Sequence, residues 1–257
     1  MLDRPMVWLI LPTYEEAGNV ERVVAAALAA LARAAPGAHR ILIVDDDSPD
    51  GTGRIADALA ERHPEVGVLH RAEREGLGPA YLAGFAEALA GGATLVVEMD
   101  ADLSHDPEDI VRLVAAMQDA DLVLGSRYVR GGRVCDWGPF RRIVSRGGSL
   151  YAQAVLGLRV QDLTGGFKCF RREVLEAIDL AEARSHGYVF QVELTYRAVQ
   201  AGFRVREIPI TFRDRTQGRS KMSWRIALEA VALVPRLRWG RRGRVLGSHM
   251  RALSDMR

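Results

Sequence analysis

Cysteine is nearly absent, with Cys135 and Cys169 far apart in 257 residues. Two such thiols give neither a disulfide framework nor a metal-ligand spacing, and a reducing compartment is expected. No window reaches the roughly 18 apolar residues that a bilayer-spanning helix needs. The N-terminus has no charged region followed by a long apolar core and a cleavage site, because Met6 to Pro12 is short and reads as a strand. Lysine is also scarce. It occurs only at 168 and 221 among 35 basic residues, so nearly all positive charge is guanidinium, suited to bidentate grip on phosphate. An Arg- and Ala-rich genome would produce the same bias. The net charge of +2 is too small to argue for nucleic acid.

What is present alternates. Val7 to Leu11, Ile41 to Val44, Val66 to His70, Leu95 to Met99 and Leu122 to Leu124 are short apolar runs, each followed by a polar loop and a helical repeat. That order implies a single α/β domain over residues 1–246, with a mostly parallel sheet flanked by helices. Val205 to Phe212 reads as a further strand. Arg172 to Ile178 and Phe190 to Ala201 read as helices, and Asp162 to Phe167 as a turn-rich segment.

The chain is organised around Leu95 to Met99 and the acids that follow, Asp100-Ala101-Asp102. Alternation along an extended backbone predicts that both carboxylates project to one side, at the edge where open α/β sheets bind ligands. Like charges held together need a shared proton or a cation. Mg²⁺ or Mn²⁺ suits this pair, being held by one or two carboxylates plus water and the phosphate oxygens of a substrate. Asp106-Pro107-Glu108-Asp109 instead reads as a helix cap and first turn.

A second acidic cluster, Asp45-Asp46-Asp47, leaves the strand Ile41–Val44. Asp46 suits hydrogen bonding to a nucleotide's base or ribose, whereas Asp47 and Asp50 fit a turn and cap. Tyr128 to Gly138 is a long glycine-bearing loop of the kind that is often functional. Arg141, Arg142, Ser145 and Arg146 precede an apolar stretch, Leu150 to Leu158. This suits a ligand with an anionic head and an apolar tail, or a helix with a solvated start and a packed end. Trp224 to Val234 predicts an amphipathic helix stopped by Pro235. The following Arg236, Arg238, Trp239, Arg241, Arg242 and Arg244 fit either an anionic membrane surface or a solvated tail. Gly247-Ser248-His249-Met250 resembles a cloning scar, so residues 247–257 stand outside the functional reading.

Side by side, these stretches resemble glycosyltransferase family 2, and within it the dolichol-phosphate (polyprenol-phosphate) mannose synthases. The matching pieces are Leu-Pro-Thr-Tyr-Glu-Glu at 11–16, Val-Asp-Asp-Asp-Ser-Pro-Asp-Gly-Thr at 44–52, Met-Asp-Ala-Asp-Leu-Ser-His at 99–105, Gly-Ser-Arg-Tyr at 125–128 and Gly-Arg-Ser-Lys at 218–221. The resemblance implies a GT-A fold and inverting transfer of mannose from GDP-mannose to a polyprenyl (dolichyl) phosphate. It implies that Pro12, Tyr14, Glu16, Val44 and Asp46 surround the guanosine, and that Asp100, Ala101 and Asp102 meet the metal, diphosphate and mannose. By the same resemblance Arg127, Arg215 and Lys221 bind phosphates of donor or acceptor, with Arg141 and Ser145 at the acceptor phosphate. Asp100, Asp102 and Arg127 are thus the catalytic candidates. The chain departs from relatives at Glu15, often Asn, at Asp47, often small, and at Ser104, sometimes Gln.

A phosphate acceptor is already largely anionic at neutral pH, its second pKa being about 6, so no general base is required. Glu193 is the candidate if one exists. Transfer of another sugar, such as glucose from UDP-glucose, and a non-catalytic nucleotide- or lipid-phosphate-binding module are the alternatives. The expected setting is the cytoplasmic face of a membrane, held peripherally or through a membrane-anchoring partner protein; relatives with C-terminal spans carry their own anchor.

Overall fold

The computed structural model describes residues 5–178, 180, 187–214 and 224–239. Strands β1 (Val7–Thr13), β2 (His39–Asp45), β3 (Val66–His70), β4 (Leu95–Glu98) and β5 (Leu122–Ser126) alternate with helices α1 (Val20–Ala34), α2 (Thr52–Arg62), α3 (Leu77–Ala90) and α4 (Asp109–Ala116). Then follow β6 (Arg133–Val134), α5 (Pro139–Leu156), β7 (Lys168–Arg171), α6 (Arg172–Ala177), α7 (Gly187–Gln200), β8 (Val205–Pro209), β9 (Thr211–Phe212) and α8 (Trp224–Trp239). The main sheet has seven strands in the order β3-β2-β1-β4-β7-β5-β8. All neighbours pair parallel except at β7, which runs antiparallel to both β4 and β5. The mostly parallel α/β class expected from the alternation is therefore present.

Strands covered on both faces need apolar side chains on both, which is why β1 reads as an unbroken apolar run. Leu9 and Leu11 pack with Ile41, Ile43 and Val97 under α1, α2 and α4. Trp8 and Ile10 point the other way, joining Leu42, Val44, Val96, Tyr81, Phe85 and Phe190 under α3, α5, α6, α7 and α8. Each such side chain stabilises the fold by about 1.5–3 kcal/mol through burial. Contact is close at Gly84 of α3, where an added Cβ would lie 2.4 Å from Ile10 Cγ2 and 3.2 Å from Val44 Cγ2.

Three elements differ from the sequence reading. β7 fills the stretch left unassigned between the turn-rich segment ending at Phe167 and the helix from Arg172, because a four-residue strand beginning with a fully buried lysine has no apolar signature. The single strand expected over 205–212 divides: β8 pairs with β5, while β9 pairs with β6 in a separate two-stranded ribbon. Pro235 does not stop α8, which continues to Trp239. Val234 is buried there, and Arg238 Nη1 donates to the Val155 carbonyl of α5, so packing offsets the backbone hydrogen bond that proline cannot make.

Candidate active site

Because β1, β2, β3, β4, β5 and β8 run in one direction, their carboxyl ends meet at one edge. The chain winds outward from β1 to β3 and returns to the other side of β1 at β4. A strand order that reverses in this way leaves a crevice outside the ends of the two central strands. Glu15, Asp47, Leu103 and Asp136 all have positive φ, at 58°, 54°, 62° and 62°, and all four lie in loops leaving strands at this end of the sheet or in the 128–138 segment. Such conformations cost about 1–3 kcal/mol each and cluster at functional sites.

The loops after β1 and β2 are laced together. Backbone N–H groups of Glu15, Glu16 and Ala17 donate to Ser48 Oγ, Thr52 Oγ1 and an Asp50 carboxylate oxygen at 3.1, 2.9 and 3.1 Å. Asp50 also accepts from the Thr52 N–H and hydroxyl at 3.0 and 2.6 Å. Burial works to raise its carboxyl, but these hydrogen bonds hold it below the usual range, in line with the capping reading. Asp46 is buried and accepts from Arg71 Nη1 at 2.6 Å and the Gly76 N–H at 3.0 Å. Arg74 stacks 3.9 Å from the Tyr14 ring centroid. Pro12 and Val44 sit on neighbouring strands in register, and Glu16 Oε2 accepts from Asn19 at 2.8 Å. Tyr14, Asp46, Arg71 and Arg74 thus line one end of the crevice. The two arginines escaped sequence reading because the segment after Val66 to His70 read only as a polar loop.

Asp100, Ala101 and Asp102 follow β4 directly. The ladder ends at Glu98, two residues before Asp100, and the chain then turns through Leu103, whose φ is 62°. Asp102 Oδ1 accepts the Ser104 N–H at 3.0 Å, and the Asp100 N–H donates to His105 Nδ1 at 3.4 Å. His105 is buried between Phe167 and Phe212, with ring centroids 4.9 and 5.1 Å away. The Arg213 N–H closes the turn on the Ser104 carbonyl at 3.0 Å. The acids converge on one phenol: burial, then Asp100, Glu98 and Asp102, push Tyr81 well above its ordinary value. The Ser104 hydroxyl is buried and has no hydrogen-bond partner among the described residues.

Among the described residues, no group of three or more His, Cys, Asp or Glu side chains could cage a metal alone. A carboxylate pair beside an orphaned hydroxyl nevertheless fits Mg²⁺ or Mn²⁺, which take much of their shell from water and substrate phosphates.

Across β7 lies a basic region. Arg127 is buried, and its Nε and Nη2 donate to Asp162 at 2.7 and 2.6 Å, with Nη2 also reaching Thr164 Oγ1 at 2.9 Å. The rings of Tyr128, Trp137 and Phe212 stand 5.2–5.6 Å from its guanidinium. Burial works to raise the Asp162 carboxyl, but Arg127 holds it below the usual range. Arg127 therefore spends two nitrogens on its own fold, a role that the turn-like look of residues 162–167 concealed. The Ser145 hydroxyl accepts from Tyr128 Oη at 2.6 Å. Arg141 pairs with Asp214 at 2.7 Å and stacks 4.1 Å from Trp137. A cavity of about 270 Å³ opens here, lined by Arg127, Tyr128, Arg133, Arg142 and Arg146. Arg215 and Lys221 lie outside the described residues. Glu193 is buried and accepts from Arg197 at 2.9 and 2.7 Å, which fits a structural role.

A reversing parallel sheet, an acid pair beyond its central strand and a basic region beside it are the parts of a GT-A fold. The chain belongs to glycosyl transferase family 2, whose profile matches residues 8–179. It is 49% identical to the polyprenol monophosphomannose synthase of Mycolicibacterium smegmatis, over 92% of this chain and 88% of that one. It is 47% identical to the undecaprenyl-phosphate mannosyltransferase of Micrococcus luteus, over 91% and 93%. A mannosyltransferase of Pyrobaculum calidifontis, solved with GDP-Man and Mn²⁺, superposes with a TM-score of 0.61 at 21% identity, covering 88% of this chain and 61% of that one. The family membership expected from the motifs is thereby borne out.

Proposed function

We propose that the protein is a polyprenyl-phosphate mannosyltransferase, moving mannose from GDP-mannose to a polyprenyl phosphate with inversion at the sugar. The observation that carries this reading is near-full-length similarity to two lipid-phosphate mannosyltransferases. The placement of acid pair and arginines on either side of β7 supports it. Pro12, Tyr14, Glu16, Val44 and Asp46 frame the guanosine, with Arg71 and Arg74 fixing Asp46 and Tyr14. Asp100 and Asp102 hold Mg²⁺ or Mn²⁺ against the diphosphate, and Ala101 packs beside them. Such a cation, when bound, neutralises charge that builds on the departing GDP.

Arg141 and Ser145 orient the acceptor phosphate, and Arg127, fastened by Asp162, keeps that side of the site in place. Arg215 and Lys221 complete the grip on phosphate. The acceptor attacks as an anion, so the pairing of Glu193 with Arg197 leaves no step wanting a base. Among the described residues no helix is long and apolar enough to cross a membrane. Exposed Ile143 and Leu150 on α5, with Trp239 on α8, suit peripheral attachment at the cytoplasmic face, alone or with an anchoring partner. Residues 1–246 act as one catalytic domain.

Incubation with a panel of nucleotide sugars, polyprenyl phosphate and Mg²⁺ or Mn²⁺, followed by identification of the lipid product, tests the reading. Lipid-linked mannose is expected. A glucose product alone would reassign the donor, and no lipid product from any donor would refute the reading.

A further inference from the structure

Glu98 and Lys168 are both fully buried, and their charged atoms lie 3.4 Å apart. They face each other on the last rung of the β4–β7 ladder. Lys168 Nζ also donates to the Gln191 carbonyl of α7 at 3.0 Å and to its side-chain oxygen. Neither Glu98 oxygen makes a hydrogen bond of regular geometry among the described residues. A buried ion pair so incompletely satisfied is a poor source of stability, because well-packed apolar residues of similar volume generally do as well or better. Its position suggests another use. Two residues on from Glu98 is Asp100; two residues back from Lys168 is Gly166. These meet: a Cβ on Gly166 would lie 3.6 Å from Asp100 Oδ1 and 3.5 Å from Gln191 Nε2. Both walls around the Asp100 carboxylate therefore spring from the same charged rung.

We propose that Glu98, Lys168 and Gln191 form a positioning unit beneath the acid loop, fixing where Asp100 leaves β4 and hence how tightly the site takes a divalent cation. The unit rests on the metal-dependent reading above. Lys168 also places a positive charge behind acids that would otherwise face a third carboxylate, Glu98, with nothing to balance it. Groups that orient a metal ligand typically change metal affinity 10–100-fold when removed.

The test is Mn²⁺ binding by electron paramagnetic resonance in the presence of GDP, with thermal unfolding and the split between kcat and KM for GDP-mannose alongside. Lys168→Met, which leaves Glu98 unpaired, is expected to lose both stability and Mn²⁺ affinity. The double variant Glu98→Gln with Lys168→Met removes both charges, and is expected to recover much of the stability while its Mn²⁺ affinity stays about tenfold or more below wild type. Gln191→Met, which cuts the tether without stranding a carboxylate, should weaken Mn²⁺ binding in the same direction and decides the matter if the double variant does not fold. Wild-type Mn²⁺ affinity in the double variant, or in Gln191→Met where the double variant fails to fold, overturns the proposal. A wild-type protein that binds no Mn²⁺ overturns it together with the metal assignment. One that binds Mn²⁺ but transfers no mannose refutes only the sugar reading, and the variants still decide the positioning unit.

Discussion

Asp162→Ala is the sharpest perturbation of the fold around the site. Asp162 is fully buried and receives the Arg127 N–H, Nε and Nη2 at 2.9, 2.7 and 2.6 Å. Truncation takes the Asp162 carboxylate away from the guanidinium of Arg127, a residue only 7% exposed. Breaking a buried pair in this way costs about 3–5 kcal/mol. For a chain of this size, about 2–4 °C of Tm accompanies each kcal/mol, so a fall of the order of 10 °C is expected. Urea denaturation at equilibrium measures the difference directly.

The deficit should also depend on pH. Folded Asp162 titrates below its unfolded value of about 3.9, so its contribution is full above that value and fades as pH falls through the folded one. The gap between wild type and variant therefore narrows in acid. Pairing Asp162→Leu with Arg127→Met should restore most of the stability, since no charge is then stranded. A loss below about 1 kcal/mol at pH 7, or a gap that widens in acid, would refute the reasoning.

Asp102→Ala should keep wild-type circular dichroism and lose at least about 10²-fold in transfer rate; normal turnover would remove the metal role. Gly84→Ala, by driving a methyl group into Ile10, is expected to cost about 1–3 kcal/mol, and an unchanged urea midpoint would show that α3 can move away from the sheet. Replacing Ile143, Leu150 and Trp239 by serine should weaken co-sedimentation with anionic liposomes while sparing turnover on a short-chain acceptor. Equal sedimentation would place the membrane-facing surface elsewhere.

The parallel strands were legible because burial on both faces writes itself as unbroken apolar runs, as in Val7–Leu11. The acids were legible as a motif at the mouth of β4, although the ladder expected to align their side chains ends two residues before Asp100. β7 was not legible. Its first residue is a charged lysine that can be buried only because Glu98, 70 positions earlier, faces it across a ladder. No local pattern reports a partner so distant. Asp162 was hidden likewise: a turn-rich segment gives no sign that its acid will grip an arginine 35 positions away. Pro235 misled for the converse reason, since tertiary packing overrode a local rule.

The antiparallel strand between β4 and β5 also acts as a spacer. Neighbouring strands lie about 4.8 Å apart, so the acids beyond β4 and the arginine after β5 start from points separated by about twice that distance. Direct pairing of β4 with β5 would halve the gap. Under the proposed function, the width of one inserted strand then gauges the size of the group that fits between the acid loop and the basic region.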